Sequence, residues 1–164
     1  MNFDQKTRSR LFRSILGLLL WLTVCYSIAF WGMQYPIGQW YEELKKPPLT
    51  PPGIVFAPVW TVLYTLMAVA AWRIWHKYRF HRAPYALLAF LFQLFLNGMW
   101  SYLFFGKQSP GFALIDLVLL WLAILTTIIL FWKRSQLSAL LMIPYLAWVS
   151  FAGYLNFSVW YLNR

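Results

Sequence analysis

Residues 108–132 read QSPGFALIDLVLLWLAILTTIILFW and contain a single charge, Asp116. A hydrocarbon core takes about 20 helical residues to cross, so this run is long enough to span a membrane. It shows no period-two alternation and is far longer than a barrel strand, which leaves a helix as the spanning structure. Outward from it, four more runs carry no charge: Ser14–Met33, Pro51–Trp72, Ala83–Gly106 and Ser135–Asn163. The whole chain is 62% hydrophobic and 11% charged, with a mean hydropathy of +0.59, a composition of membrane proteins. The expected fold is all-α integral membrane, a five-transmembrane-helix bundle. It forms a single membrane domain over 1–164, with spans at about 14–35, 51–75, 83–105, 110–132 and 136–162.

The first span follows Lys6, Arg8, Arg10 and Arg13, as a signal peptide would. Its apolar run is too long and lacks a small-residue cleavage pattern, so it reads as a retained helix. Cys25, the one cysteine, lies inside it and excludes an intramolecular disulfide. The net charge of +10 is distributed along the chain as a topology signal. Ten of the 14 basic residues fall in the N-terminal tail, in the loop with Arg73, Lys77, Arg79 and Arg82, and in the turn with Lys133 and Arg134. Lys45, Lys46, Lys107 and Arg164 fall on the other side. The positive-inside rule then places the N-terminus in the cytoplasm. Because membrane topology accounts for the basic loops, no nucleic-acid partner is expected, and lipid is the surrounding medium. Pro58 and Pro144 sit inside spans, where each should kink its helix.

The connection over 36–50 is the longest, and it runs into Lys46-Pro47-Pro48-Leu49-Thr50-Pro51-Pro52. Consecutive prolines hold a chain extended, so residues 46–52 read as a stiff strap, with Pro51-Pro52 starting the next helix. Phe56, Trp60 and Tyr64 then recur every four residues along one helical face. Gln93, Asn97, Trp100 and Phe104 line a second face, and Tyr145, Trp148, Ala152 and Asn156 a third. An interfacial aromatic belt covers Trp31, Tyr35, Trp40, Trp72, Trp132 and Trp160, but not the mid-span Trp60, Trp100 and Trp148. Mid-membrane amides, indoles and phenols turn inward, and three helices doing so together point to a cavity under the strap. Indole and tyrosyl faces stack on flat conjugated rings, while Lys45 and Lys46 at the mouth could meet acidic arms. His76 and His81 have no partner at ligand spacing, so no metal site and no required cofactor are expected. Asp116 is the one ionisable residue within a span, a functional or packing hotspot expected to be neutral or hydrogen-bonded to an indole or amide. It has no second carboxylate or base with which to form a catalytic pair.

Four blocks resemble the translocator protein family, also called tryptophan-rich sensory proteins (TspO/MBR). They are Trp40-Tyr41…Leu44 with Lys46-Pro47, Pro51-Pro52 and Val59-Trp60…Leu63-Tyr64; Leu96-Asn97-Gly98-Met99-Trp100-Ser101 with Phe104-Phe105-Gly106; Ala113-Leu114-Ile115-Asp116; and Pro144–Ala152 with Leu155-Asn156 and Trp160. The resemblance covers residues 40–160 in order. It implies a pocket for tetrapyrroles, sterols or benzodiazepine-type ligands beneath the loop that Trp40–Thr50 forms, with a porphyrin or haem-type tetrapyrrole as the main ligand. Carried over, the pocket positions are Trp60, Asn97, Trp100, Trp148 and Ala152, with Tyr64 and Pro51 nearby. Trp40, Asp116 and Tyr145 complete the candidate ligand-binding set. The resemblance also implies a homodimer, to which Gly98, Ala83, Ala86 and Ala89 lend small-residue support. Porphyrin breakdown driven by light or oxygen is the alternative activity. Phe157-Ser158 stands where sterol-binding animal members look as if they carry a tyrosine pair, and no tryptophan lies in Pro48-Leu49-Thr50. Both departures favour a bacterial member in the inner membrane over a sterol-specific one.

Overall fold

Each proline near a span marks a helix start. Proline needs no N–H partner in the first turn and its φ is already helical. In the computed structural model, which describes residues 3–164 (with the side chains of Phe3, Asp4 and Lys6 outside the described residues), Pro84, Pro110 and Pro144 each stand in the first turn of a helix. The elements in chain order are α1 (Phe3–Met33), α2 (Gln39–Glu43), a 3-10 turn (Gly53–Val55), α3 (Phe56–Arg82), α4 (Pro84–Ser101), a π-helical turn (Tyr102–Gly106), α5 (Pro110–Trp132), α6 (Gln136–Leu140) and α7 (Ile143–Leu162). Five segments are long and apolar enough to cross a membrane: Thr7–Met33, Gly53–Arg82, Pro84–Gly106, Pro110–Trp132 and Gln136–Leu162. This is the expected all-α five-helix bundle. α1 packs on α3 and α4, α4 on α5, and α5 on α7.

The two prolines expected inside spans stand in first turns of helices. Pro58 is the third residue of α3, so its missing N–H falls where no intrahelical bond is due. Pro144 opens α7, and the fifth span is interrupted just before it, at Leu141–Met142, between α6 and α7. Pro52 caps the 3-10 turn, and α3 begins only at Phe56, later than the proline pair predicts. The basic stretch after residue 72 is not a loop. α3 carries Arg73 and Lys77 on helical backbone, and a single residue, Arg79, breaks the helix at φ 55° and ψ 174°. A positive φ is uncommon outside glycine. Here the guanidinium lies 4.3 Å from the Trp75 ring centroid, a cation–π contact that offsets part of the strain.

The small residues of α3 and α4 serve the protomer itself. Ala68, Ala70, Ala71, Ala83 and Ala86 are fully buried. Gly98 is buried too, facing Ile28 and Trp31 of α1. Of the residues that lent support to a dimer face, Gly98, Ala83 and Ala86 are thus spent on close approach inside the bundle, while Ala89 is only half-buried.

Candidate functional site

The cavity begins where alanines give way to aromatics along α3. Toward the strap, Phe56, Trp60 and Tyr64 share a face, with Trp60 stacked on Tyr64 at 5.3 Å between ring centroids. Tyr64 donates to Asn97 Oδ1 at 2.5 Å, and Asn97 Nδ2 donates to the Tyr145 hydroxyl at 3.0 Å. This chain of three buried groups crosses from α3 through α4 to α7 and forms a polar floor. It satisfies groups that could not be left bare in hydrocarbon. One wall is built by Trp100, whose Nε1 donates to Asn156 Oδ1 at 2.9 Å while Asn156 Nδ2 donates to the Pro110 carbonyl at 2.8 Å.

After Ser101 the helix widens, with the Lys107 N–H reaching the Tyr102 carbonyl five residues back at 2.7 Å. Such π-turns change the spacing of side chains around a helix and recur at functional sites. Here the rings of Phe104 and Phe105 come within 4.9 Å of each other, and both pack on Trp100 and on Tyr41 of α2. The whole connection over 36–52, of which the proline run is the stiff part, forms the strap, and α2 seats it on the end of the third span. Burial raises the Tyr41 phenol above its ordinary pKa, because the ionised form would lose solvation.

Together these elements enclose a cavity of about 530 Å³, within the usual range for small-molecule sites. Of the ten candidate residues, Trp60, Tyr64, Asn97, Trp100, Trp148 and Ala152 line it. Four do not. Tyr145 stands behind Trp60, edge-on at 6.2 Å, and reaches the cavity only through Asn97. Trp40 packs against Phe104 at 5.9 Å, and Thr50 occupies the lining position next to Pro51. Asp116 is buried while its neighbours Leu117 and Leu120 face the cavity. Its Oδ2 has no hydrogen-bond partner among the described residues, so the hydrogen-bonded alternative is not met at that atom.

Two features escape sequence reasoning. The α1 wall of Tyr26, Ala29, Gly32 and Met33 carries no amide or aromatic stripe that would set it apart from a lipid-facing one. Tyr26 hydrogen-bonds Thr65 Oγ1 at 2.9 Å, which ties α1 to α3 beside the cavity. The second is the position of the lysines. Lys46 Nζ turns back to the Glu42 carbonyl at 2.9 Å and lies 4.7 Å from the Tyr41 ring centroid, so it closes the end of α2 and does not line the cavity. Lys45 is exposed outside, and no Lys, Arg, Asp or Glu lines the cavity. Among the described residues, the indole N–H groups of Trp60 and Trp148 remain donors without a protein partner. The site therefore offers aromatic faces and a few neutral donors. No group of three or more His, Cys, Asp or Glu able to hold a metal occurs among the described residues.

Residues 18–162 match the TspO/MBR family. The chain is 40% identical over 158 residues to the tryptophan-rich protein TspO of Chlorobaculum tepidum, covering 92% of this chain and 98% of that one. It is 39% identical to the translocator protein of Bos taurus over 82% of this chain and 83% of the relative. With the tryptophan-rich sensory protein of Cereibacter sphaeroides it shares 34% identity over 88% and 90%.

Proposed function

The chain belongs to the TspO/MBR family, and on that premise we propose that it is a membrane receptor for a flat, conjugated, apolar ligand of the porphyrin type, held between Trp60, Trp100 and Trp148. It is a multi-pass membrane protein of sensor and receptor type, and the proposal concerns the ligand. The observation that carries it is the 530 Å³ cavity walled by aromatic rings with no formal charge in its lining. Such walls stack on a disc, while the unpartnered indole donors suit carbonyl or carboxylate oxygens at its edge. With Lys46 engaged by Glu42, acidic arms must leave the cavity toward Lys45 or water.

A titration of the detergent-purified chain with a porphyrin in the dark, followed by tryptophan quenching, tests this reading. Trp148 sits edge-on to Phe56 at 5.9 Å on the cavity wall, whereas Trp132 ends α5 at the opposite membrane face. Loss of one stacking indole removes about 0.5–1.5 kcal/mol beyond area burial, so Trp148→Ala should weaken binding several-fold to about tenfold. Trp148→Phe should weaken it less, and Trp132→Ala not at all. Equal losses at 132 and 148 in folded protein would mean adsorption to an aromatic surface. A parallel arm in light would reveal new absorbing products if the chain instead degrades porphyrin.

The basic asymmetry supports an N-terminus in the cytoplasm and an inner-membrane location in a bacterium, for which reporter fusions at the two ends should give opposite signals. A homodimer is proposed on the exposed stripe of α4, Tyr85, Leu88, Phe92 and Phe95, beside the half-buried Ala89. Crosslinking in native membranes that yields monomer at every expression level would refute it.

A further inference from the structure

Among the described residues, the hydrogen bonds that tie residues 36–52 to another helix all run through one side chain, Asn163, just beyond α7. Its Oδ1 accepts the Lys45 N–H at 3.0 Å, and its Nδ2 donates to the Lys45 carbonyl at 3.0 Å. The same Nδ2 donates its second hydrogen to the Val159 carbonyl at 2.7 Å. Each hydrogen-bonding group of the amide is thus engaged, two donors and one acceptor. The contact to Val159 satisfies a last-turn carbonyl of α7 and fixes the amide so that it meets Lys45 as a second backbone would.

Chain chemistry puts the latch at this position. Pro47 and Pro48 supply no N–H, and Leu44 is extended at φ −64° and ψ 140°, so the Lys45 peptide has no helical partner of its own. Its two backbone groups find theirs on α7. The strap contributes Pro36, Ile37, Tyr41 and Thr50 to the cavity, and α7 contributes Trp148, Ala152 and Val159. A clasp between Lys45 and Asn163 joins roof to wall. Asn163 is itself exposed, so water competes for both hydrogen bonds and the clasp can open without disturbing the packed helices.

We propose that Asn163 is the latch of the strap: its paired hydrogen bonds with Lys45 set how often the roof lifts from α7, and hence how fast a ligand enters and leaves. Asn163 is a positioning residue, since it does not line the cavity. The inference rests on the receptor reading for its ligand, but the latch has a readout that needs none.

The test uses the full chain in lipid nanodiscs, as wild type, Asn163→Ala and Asn163→Asp. Hydrogen exchange is followed over residues 41–50 and over α4. Loss of two ordinary hydrogen bonds shifts a local opening equilibrium on the order of tenfold. Exchange over 41–50 should therefore rise about tenfold in Asn163→Ala while α4 is unchanged. Asn163→Asp should behave alike, because a carboxylate set against the Lys45 carbonyl cannot donate. Stopped-flow mixing with a porphyrin in the dark should then show association and dissociation both several-fold faster, with a smaller change in Kd. Unchanged exchange in Asn163→Ala overturns the latch. Faster exchange with unchanged porphyrin rates overturns its role as a gate. If wild type binds no porphyrin, the ligand reading falls, and the exchange measurement alone decides whether Asn163 holds the strap.

Discussion

The two halves of this bundle use the same helices in opposite ways. Toward the basic face, α3 presents Met67, Ala68, Ala70, Ala71 and Ile74, all fully buried, and Ala83 at the cap of α4 with Ala86, Leu87 and Phe90 on it are fully buried too. Small side chains let the backbones approach, and the occasional large one fills what remains. Toward the strap the same two helices present Trp60 and Tyr64, then Asn97 and Trp100, and the space between them is a cavity. Lipid is as apolar as leucine, so burial alone does not drive these helices together. Packing and internal hydrogen bonds must hold both halves. The solid half gains from contact, whereas the hollow half is propped open by rings and held by the Tyr64–Asn97–Tyr145 chain.

The sharpest way to break this contrast is to truncate one ring in each half. Phe90 is fully buried, edge-on to Trp21 at 5.5 Å and stacked on Phe131 at 6.0 Å. Phe90→Ala should leave a closed void and cost about 3–5 kcal/mol. Phe151 already borders the cavity, so its truncation enlarges an existing space and should cost about 1 kcal/mol at most. Thermal unfolding in one detergent compares the two. Equal losses would mean that the cavity is not open space.

Next in size is the polar floor. Asn97→Ala strips the partner from two phenols at once, Tyr64 and Tyr145, and both are buried. An unsatisfied buried group costs about 1–3 kcal/mol, and that loss should appear in the same unfolding assay. If Asn97→Ala unfolds with wild type, the chain of hydrogen bonds does not hold the hollow half together.

How much of this was legible follows from what each feature leaves in the sequence. The five spans are plain in charge-free runs such as Ala83–Gly106, because desolvation of charge is the largest cost in a bilayer. Trp60, Asn97, Trp100 and Trp148 were legible because a mid-membrane N–H or amide must turn inward. Tyr26, Ala29 and Met33 were not, since in a helix apolar all round the inward face is chosen by its neighbours. Hydropathy falls after Trp72, and the sequence there reads as a loop. Yet Arg73 and Lys77 are good helix formers, and α3 continues until Arg79 breaks it. Lys46 reads as a ligand partner, but its ammonium is taken up by the carbonyls ending α2. Nothing in the spacing announces the π-turn at Tyr102–Gly106.

A smaller effect separates the glycines of the two ends. A Cβ at Gly17 would overlap the Trp75 ring on the basic side, where α1 and α3 are in close contact. Gly53, on the strap side, has open space around it. Gly17→Ala should cost about 1–3 kcal/mol through overpacking, and Gly53→Ala should stay within about 0.5 kcal/mol. If Gly17→Ala is neutral, Trp75 has room to swing aside and the basic half is looser than its burial implies.

The smallest expected effect lies in the seat of the strap. Tyr41 is half-buried against Phe104 and Phe105, and that burial raises its pKa above the ordinary value near 10. A group whose folded-state pKa is raised binds its proton more tightly when folded than when unfolded. Its contribution is complete below the unfolded pKa and is lost as pH rises through the folded one. Strap stability should therefore be flat up to about pH 10 and fall above it. Tyr41→Phe keeps the ring against Phe104 but has no proton to lose, so that alkaline fall should shrink. Hydrogen exchange over residues 39–50, compared between wild type and Tyr41→Phe across pH 9 to 11 after correction for intrinsic rates, measures the difference. Identical alkaline loosening in both would place the titrating group elsewhere and leave Tyr41 as packing alone.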